Sequence, residues 1–211
     1  MKFMKKLIAM IIALSCILCV FSCDMSSGGT HAPQIPEANG GVSFAEFVSA
    51  VAGMSSVKTS VIKTTFISPG KGELNSVFNI TYNADGSSVI VYTSQRFGDV
   101  EAEEDYIVTD GPFTVECDAN GNYTVGGDVY NVIASGAYSL NLDSNKLYDS
   151  RIEGNVLYTT VFSTDTQAVL GVAIPATVAL SVVINNGKVS SVSADYVKNG
   201  NYVKVKCEYG F

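Results

Sequence analysis

The sequence predicts an α+β domain whose sheet is mainly antiparallel, and three observations favour this fold class. Asn-Gly and Asp-Gly pairs recur between segments rich in β-branched and aromatic residues, which is the strongest short-range signal of a β-hairpin. The strand segments lack the regular alternation with helices that parallel sheets require. One early segment, 42–53, has apolar residues at helical spacing. We therefore expect a hairpin-rich sheet with an N-terminal helix and one or two short helices covering one face.

The length and charge of the chain limit what it can be. It has 211 residues, 47% of them hydrophobic and 16% charged, which suits one buried core and is too apolar for disorder. The net charge is −7, and 10 basic and 20 acidic residues remain once an N-terminal segment containing Lys2, Lys5 and Lys6 is removed. No basic surface exists to displace counterions, so we expect no nucleic-acid partner.

The N-terminus has the pattern of an export signal. Three lysines in the first six residues precede an apolar run over residues 7–21. This run is shorter than the roughly 20 residues that a membrane-spanning helix needs. A charged start followed by a short apolar run predicts a signal peptide over residues 1–22.

The apolar run ends in Val20-Phe21-Ser22-Cys23, which resembles the lipobox of bacterial lipoproteins. Phe21 is bulkier than the residue usual at its place, and Cys16 is a second, weaker candidate. The resemblance implies that Cys23 receives a diacylglycerol, which anchors the chain to the plasma or outer membrane with its domain extracytoplasmic. Two or three acyl chains give durable attachment. An ordinary signal peptide with incidental cysteines is the alternative.

Residues 23–41 form a predicted flexible tether, and residues 42–211 form a single β-rich domain. The tether is rich in Gly, Ser and Pro and has no apolar period. It contains His31, the only histidine of the chain. A histidine in a mobile tether has no positioned partners, so we expect neither a metal ligand nor a catalytic base there.

The segment Val42–Gly53 carries the clearest helix signals. Ser43 and Glu46 have the spacing of a capping box, while Val42 and Phe47 occupy the two positions of a hydrophobic staple. Gly53 is a plausible C-terminal cap. The apolar stripe of this helix is expected to consist of Phe44, Phe47, Val48 and Val51.

Strands follow the helix. Ser56–Ile67 is rich in β-branched residues, and its apolar phase shifts between Val61 and Ile62, which predicts a bulge or a bend. Leu74–Asn83 alternates between apolar and polar residues and turns at Asp85-Gly86 into Val89–Phe97. The other predicted turns are Asp110-Gly111, Asn120-Gly121, Asn186-Gly187 and Asn199-Gly200.

The middle of the domain is predicted to contain two short helices, Val129–Ala134 and Thr164–Gly171, on either side of a strand at Asn155–Phe162. The most apolar stretch after the signal peptide is 168–184. Gly171 and Pro175 interrupt it and it is short for a membrane span. We expect a loop or lid as far as Pro175 and then a buried strand, Thr177–Ile184.

A capped helix that leads into a long strand, followed by hairpins, resembles the lipoprotein-carrier family that includes LolA, LolB and the LppX and LprG lipoproteins. Residues 43–67 and 177–211 carry the resemblance by pattern. It implies a curved, half-open β-barrel-like sheet whose concave face holds acyl chains, which fits a curved sheet with one apolar face.

The partner implied by this resemblance is a lipid or another hydrophobic ligand. For each candidate lining residue the alternative is a place in an ordinary core. The candidates are Phe78, Ile80, Tyr82, Val203, Val205 and Tyr209, with Leu170, Val172 and Ile174 as a lid.

The residues that common catalytic sites need are missing from the predicted domain. It has no histidine for a Ser-His-Asp, Cys-His or zinc site, and no P-loop. Five acidic residues lie within 99–105 and favour a solvated loop over a calcium site. We therefore expect a protein that is not an enzyme and holds no cofactor or metal.

Two cysteines, Cys117 and Cys207, lie on predicted strands of the exported domain. Export permits a disulfide between them. Cys207 also suits a small buried hydrophobe, so the sequence leaves both interpretations open.

These inferences lead to two expectations for function. The first is a membrane-anchored envelope lipoprotein that binds or carries a hydrophobic ligand on the concave face of its sheet. The alternative is a structural or adhesive surface lipoprotein with a filled core that acts through protein–protein contacts.

Overall fold

One antiparallel sheet of eleven strands organises the residues that the structure, a computed structural model, describes: 41–70, 72–98, 106–118, 122–125, 128–131 and 140–211. The described helices are α1 (Phe44–Ala52) and α2 (Thr166–Leu170), with 3-10 turns at Gly53–Ser56 and Ser144–Lys146. The strands are β1 Thr59–Ser68, β2 Gly72–Tyr82, β3 Ser88–Gly98, β4 Tyr106–Cys117, β5 Asn122–Val125, β6 Asp128–Asn131, β7 Tyr148–Glu153, β8 Val156–Val161, β9 Val178–Asn185, β10 Lys188–Lys198 and β11 Asn201–Gly210.

The sheet consists of two meanders joined side by side. Strands β1 to β6 follow one another as neighbours, and so do β7 to β11, while the pairing of β1 with β11 connects the two sets. The outermost strands are β6 and β7, and among the described residues no pairing joins them, so the sheet stays open. The predicted fold class is confirmed: mainly antiparallel β, not closed, with an N-terminal helix and few short helices.

The helix α1 is confirmed, together with the predicted capping pair. The backbone N–H and the Oγ hydroxyl of Ser43 each donate to Glu46 Oε2 at 2.8 Å. Phe47 and Ala50 are buried, whereas Val48 is 41% exposed. Including Val48 in the buried stripe was wrong. The side of the helix that faces the sheet carries Phe47, Ala50 and, just after the helix, Met54.

The bulge predicted in β1 is absent. Thr59 to Ile67 pair residue by residue with both β2 and β11, without a shift of register. The apolar pattern was misleading because Val61, on the side opposite Ile62, is itself partly buried. A strand with apolar residues on both sides shows no clean period of two.

Two predicted turns are confirmed by their backbone angles. Asn186 and Asn199 have φ of 51° and 52°, and the glycines that follow them also have positive φ. Two successive residues with positive φ define the type I′ turn that suits a two-residue hairpin.

Two other predictions about local structure were wrong. Asp110-Gly111 lies inside β4, where Gly111 and Pro112 together oppose one residue of β3 and form a bulge. The first residues of the helix predicted at 129–134 belong to strand β6. The prediction failed because so short an apolar run fits the helical and the strand periodicity equally well. The predictions for residues 1–40, the acidic segment 99–105 and Asn120-Gly121 lie outside the described residues.

The helix predicted near residue 166 is confirmed, and the loop after it packs into the core. The helix α2 ends at Gly171, whose φ of 73° suits a C-terminal cap. The Ile174 backbone N–H then donates to Thr166 Oγ1 at 2.8 Å. Leu170 and Ile174 are buried in the core, so this segment closes the interior of the domain.

The hydrophobic core lies on one side of the sheet, over its C-terminal meander. Helix α1 packs against β9 and β10. Residues of α2, of the 140–147 segment and of β7 to β10 complete the cluster. We call this side of the sheet the core-facing side.

Candidate functional site

Along two rows of the core-facing side, apolar residues are fully buried on β8 and β9 and partly exposed on β1 and β2. Residues directly opposite one another on paired strands share a face, so the register defines rows that cross the sheet. In one row Leu157 and Val182 are fully buried and Cys207 is 9% exposed, whereas Ile62 and Phe78, further along, are partly exposed. The next residue of this row, Tyr92 on β3, is 8% exposed, so the partly exposed stretch is limited to Ile62 and Phe78 on β1 and β2.

A second row shows the same change. It begins at Val161 and Val178, which are fully buried. It continues through Tyr196 to Val203 on β11 and then onto β1 and β2, where all the side chains are partly exposed. We call the partly exposed apolar residues of the two rows the open apolar face: Ile62, Phe66, Leu74, Phe78 and Val203.

Hydroxyl groups lie among these apolar rows. Thr64 and Ser76 pair between the two rows, and Ser76 is 5% exposed. At one end of the face Ser60 Oγ lies 3.0 Å from Tyr82 Oη. Ser60 and Ser76 are buried, and Thr64 is partly exposed, so Thr64 adds an uncharged polar group to the apolar surface, as is typical of sites for small hydrophobic molecules.

Two aromatic groups adjoin the open apolar face. The rings of Phe78 and Tyr92 stack with centroids 5.7 Å apart and an interplanar angle of 25°. Tyr196 lies at the other side of the face, and burial raises the pKa of its phenol. The phenol therefore stays protonated and able to donate a hydrogen bond at neutral pH.

The structure separates the nine predicted lining residues into two groups. Phe78 and Val203 belong to the open apolar face, and Val205 lies between its rows opposite Thr64. The other six are core residues, pack against the core cluster or, for Ile80, are buried on the same side: Ile80, Tyr82, Leu170, Val172, Ile174 and Tyr209. Whether any of the nine contacts a ligand stays a prediction.

Sequence reasoning missed three residues of this face, Ile62, Phe66 and Leu74. The signal for two of them was present in the alternate positions of β1, of which Ile62, Thr64 and Phe66 share one side. The bulge expected in this strand obscured that alternation.

A separate cleft of about 310 Å³ lies between the start of α1 and the β9–β10 turn. The Asn155 side-chain amide connects the walls, donating to Ile184 O at 2.9 Å and to Asn185 Oδ1 at 2.8 Å. Hydrogen bonds from the Ser43 backbone and hydroxyl hold the pKa of Glu46 below its usual range. The lining is Val42, Glu46, Ser49, Asn155, Ile184, Asn185, Asn186 and Gly187. None of the predicted lining residues contributes to it.

Cys207 is a buried free thiol, so the disulfide left open with Cys117 is not formed. Strands β1, β2 and β3 lie between the two cysteines in the sheet, whereas a disulfide needs Cα atoms within about 7 Å. Burial raises the pKa of the Cys207 thiol to about 11. The alternative interpretation, a small buried hydrophobe, describes its environment.

The described ranges lack two further features, a metal site and a membrane-spanning helix. These ranges contain no group of three or more His, Cys, Asp or Glu residues placed to hold a metal ion. They also contain no helix that is long and apolar enough to cross a membrane.

The fold and the face together define a class: an open, hairpin-rich antiparallel sheet, packed by helices over one half of one side. No protein-family model matches the chain, and no curated protein is significantly similar to it in sequence. Among solved structures it is similar to LprF from Mycobacterium bovis, with 10% sequence identity and a TM-score of 0.39. The alignment covers 79% of this chain and 92% of LprF. Similarity at this level assigns no function.

Proposed function

We propose that the protein is an envelope lipoprotein, anchored through Cys23, whose domain binds a lipid or another hydrophobic ligand without catalysing a reaction. One observation carries the ligand-binding part of the proposal. Along continuous rows of the core-facing side, apolar residues pass from fully buried on β8 and β9 to partly exposed on β1 and β2.

The free energy available from covering this face is substantial. Burial of apolar surface contributes about 25 cal/mol per Å², so covering about 200 Å² would stabilise a complex by roughly 5 kcal/mol before the costs of association. A contiguous exposed apolar patch of more than a few hundred Å² is typical of an interaction site. The partly exposed ring of Phe78, which stacks on the buried ring of Tyr92, supplies a rigid part of that surface.

A dye titration with a matched pair of variants tests this proposal. The full chain carrying Cys23→Ser, which removes the acylation site, is titrated with the uncharged apolar dye N-phenylnaphthylamine. Phe78→Ser should weaken dye binding at least about fivefold, because it removes a large apolar contact. Val77→Ser changes the adjacent, partly buried residue on the opposite side of the same strand, and should leave affinity within about twofold. Equal losses in both variants, or no dye binding, would contradict the proposal.

The anchor is tested separately in a bacterial host given an alkyne-tagged fatty acid. Cys23→Ser should abolish labelling of the protein and release it from the membrane fraction, because the acyl chains supply the attachment. Cys16→Ser should leave both unchanged. Labelling that persists without Cys23, or that depends on Cys16, would overturn this part of the proposal.

A role as a structural or adhesive surface module is the second candidate. It is favoured by Val197 and Tyr202, which lie directly opposite each other on β10 and β11 and are 49% and 51% exposed. Such a pair on the outer side of the sheet is a plausible protein contact. If Tyr202→Ser abolishes attachment of the anchored protein to a partner surface while dye binding is unchanged, this candidate gains support.

A further inference from the structure

Lys198 places a buried positive charge at one end of the core-facing side. It ends β10 and is only 9% exposed, a degree of burial that lysine reaches almost only when its charge is paired. On the same strand Val197 is 49% exposed and Tyr196 is partly buried. Because side chains alternate along a strand, Lys198 and Tyr196 share the core-facing side.

The register connects this charge to the open apolar face. Tyr196 pairs with Val203, and Val203 pairs with Phe66, so the row of Tyr196 leads directly into that face. Lys198 lies two residues beyond Tyr196, about 7 Å along the strand.

A buried ammonium is costly unless it has anionic or hydrogen-bonding partners. It has three N–H donors, so it can hold a protein acceptor and a ligand acid at the same time. The protonated phenol of Tyr196 offers a further donor on the same side of the strand. A positively charged donor at the end of an apolar surface is complementary to an amphiphile that has an acidic head group and an apolar chain.

We propose that the open apolar face selects amphiphiles that carry one acidic group. The apolar chain would cover Phe66, Leu74 and Phe78, and the carboxylate or phosphate would contact the ammonium of Lys198. From β10 to β2 the face crosses three strand spacings, about 14 Å, which an extended alkyl chain can follow. This inference rests on the proposed function and specifies the class of its ligand.

Competition between ligands that share one chain but differ in charge tests the inference. Dodecanoate, dodecyl phosphate and dodecanol each displace N-phenylnaphthylamine from the full chain carrying Cys23→Ser. At least one of the two acids should displace the dye at about tenfold lower concentration than the alcohol, as expected for a hydrogen bond to a charged group. Which acid does so distinguishes a carboxylate from a phosphate ligand.

Lys198→Met keeps most of the apolar stem and removes the charge. It should bring the acids to the potency of the alcohol and leave the alcohol unchanged. Lys204→Met, on the exposed outer side of β11 opposite Asp195, should keep the preference for acids. A preference that survives Lys198→Met would overturn the inference.

The preference measured with Lys198 intact, in the chain carrying Cys23→Ser, is decisive even if Lys198→Met fails to fold. Equal potency of acids and alcohol would overturn the inference while leaving the proposed function intact, because both ligands would still bind. If dye, acids and alcohol all fail to bind, the proposed function itself fails.

Discussion

Replacing Phe47 with alanine should lower the free energy of unfolding much more than replacing Phe78. The Phe47 ring lies under the covered half of the core-facing side, whereas the Phe78 ring lies on its open half. Phe47 is fully buried in the core cluster, so Phe47→Ala removes the ring and leaves a cavity, at about 3–5 kcal/mol. Phe78 is partly exposed, outside that cluster and stacked on Tyr92. Phe78→Ala should cost only about 1–2.5 kcal/mol.

Urea unfolding followed by circular dichroism measures both losses. With an m value of about 2 kcal/mol per M, the midpoint should fall by about 1.5–2.5 M for Phe47→Ala and by about 0.5–1.2 M for Phe78→Ala. Val48→Ala, at an exposed position of the same helix, should shift the midpoint by less than about 0.3 M. Equal losses at Phe47 and Phe78 would show that the open apolar face is packed like the core and refute the reasoning.

Three further predictions concern other parts of the domain. Gly187→Ala should cost about 1–2 kcal/mol in thermal unfolding because this turn residue has a φ of 73°, whereas Gly53→Ala, at a φ of −77° with open space around it, should be neutral or stabilising. The Glu46 carboxylate, whose pKa is lowered in the folded state, should stabilise the fold above about pH 4.5, and this contribution should vanish as the pH falls further. Glu46→Gln should therefore flatten this part of the curve of unfolding free energy against pH. An unchanged curve would contradict the capping role of Glu46. Cys207, with its thiol pKa raised to about 11, should react with iodoacetamide only after unfolding, and peptide mapping that finds it alkylated in the native protein would disprove its burial.

The elements with strong local signals were predictable from the sequence. The capping pair of Ser43 and Glu46 fixes the start of α1, and Asn-Gly pairs such as Asn186-Gly187 fix tight turns through their tolerance of positive φ. In these cases a few adjacent residues determine the backbone, so no tertiary information is needed.

Features that depend on tertiary packing were not predictable. Asp110-Gly111 has the composition of a turn, but its place in β4 opposite β3 makes it a bulge. Leu170 and Ile174 lie in an interrupted apolar segment whose sequence suits a lid and a core equally well. The hydrogen bond from the Ile174 backbone N–H to Thr166 Oγ1 holds this segment against the core.

The candidate site depends on long-range pairing even more strongly. Phe66 and Val203 are far apart in sequence and become neighbours only through the β1–β11 ladder. The same ladder brings the row of Tyr196 to the open face. A sequence shows the alternation within each strand, but the partner of each strand follows from the fold as a whole.

The most direct test of a ligand on the open apolar face is native mass spectrometry of the full chain purified from a bacterial envelope. Wild-type protein and Val77→Ser should carry an excess mass, beyond that of the acylated polypeptide, which denaturation releases as a small amphiphile. Phe78→Ser should lose most of it. Native and denatured masses that agree for all three proteins would contradict the account.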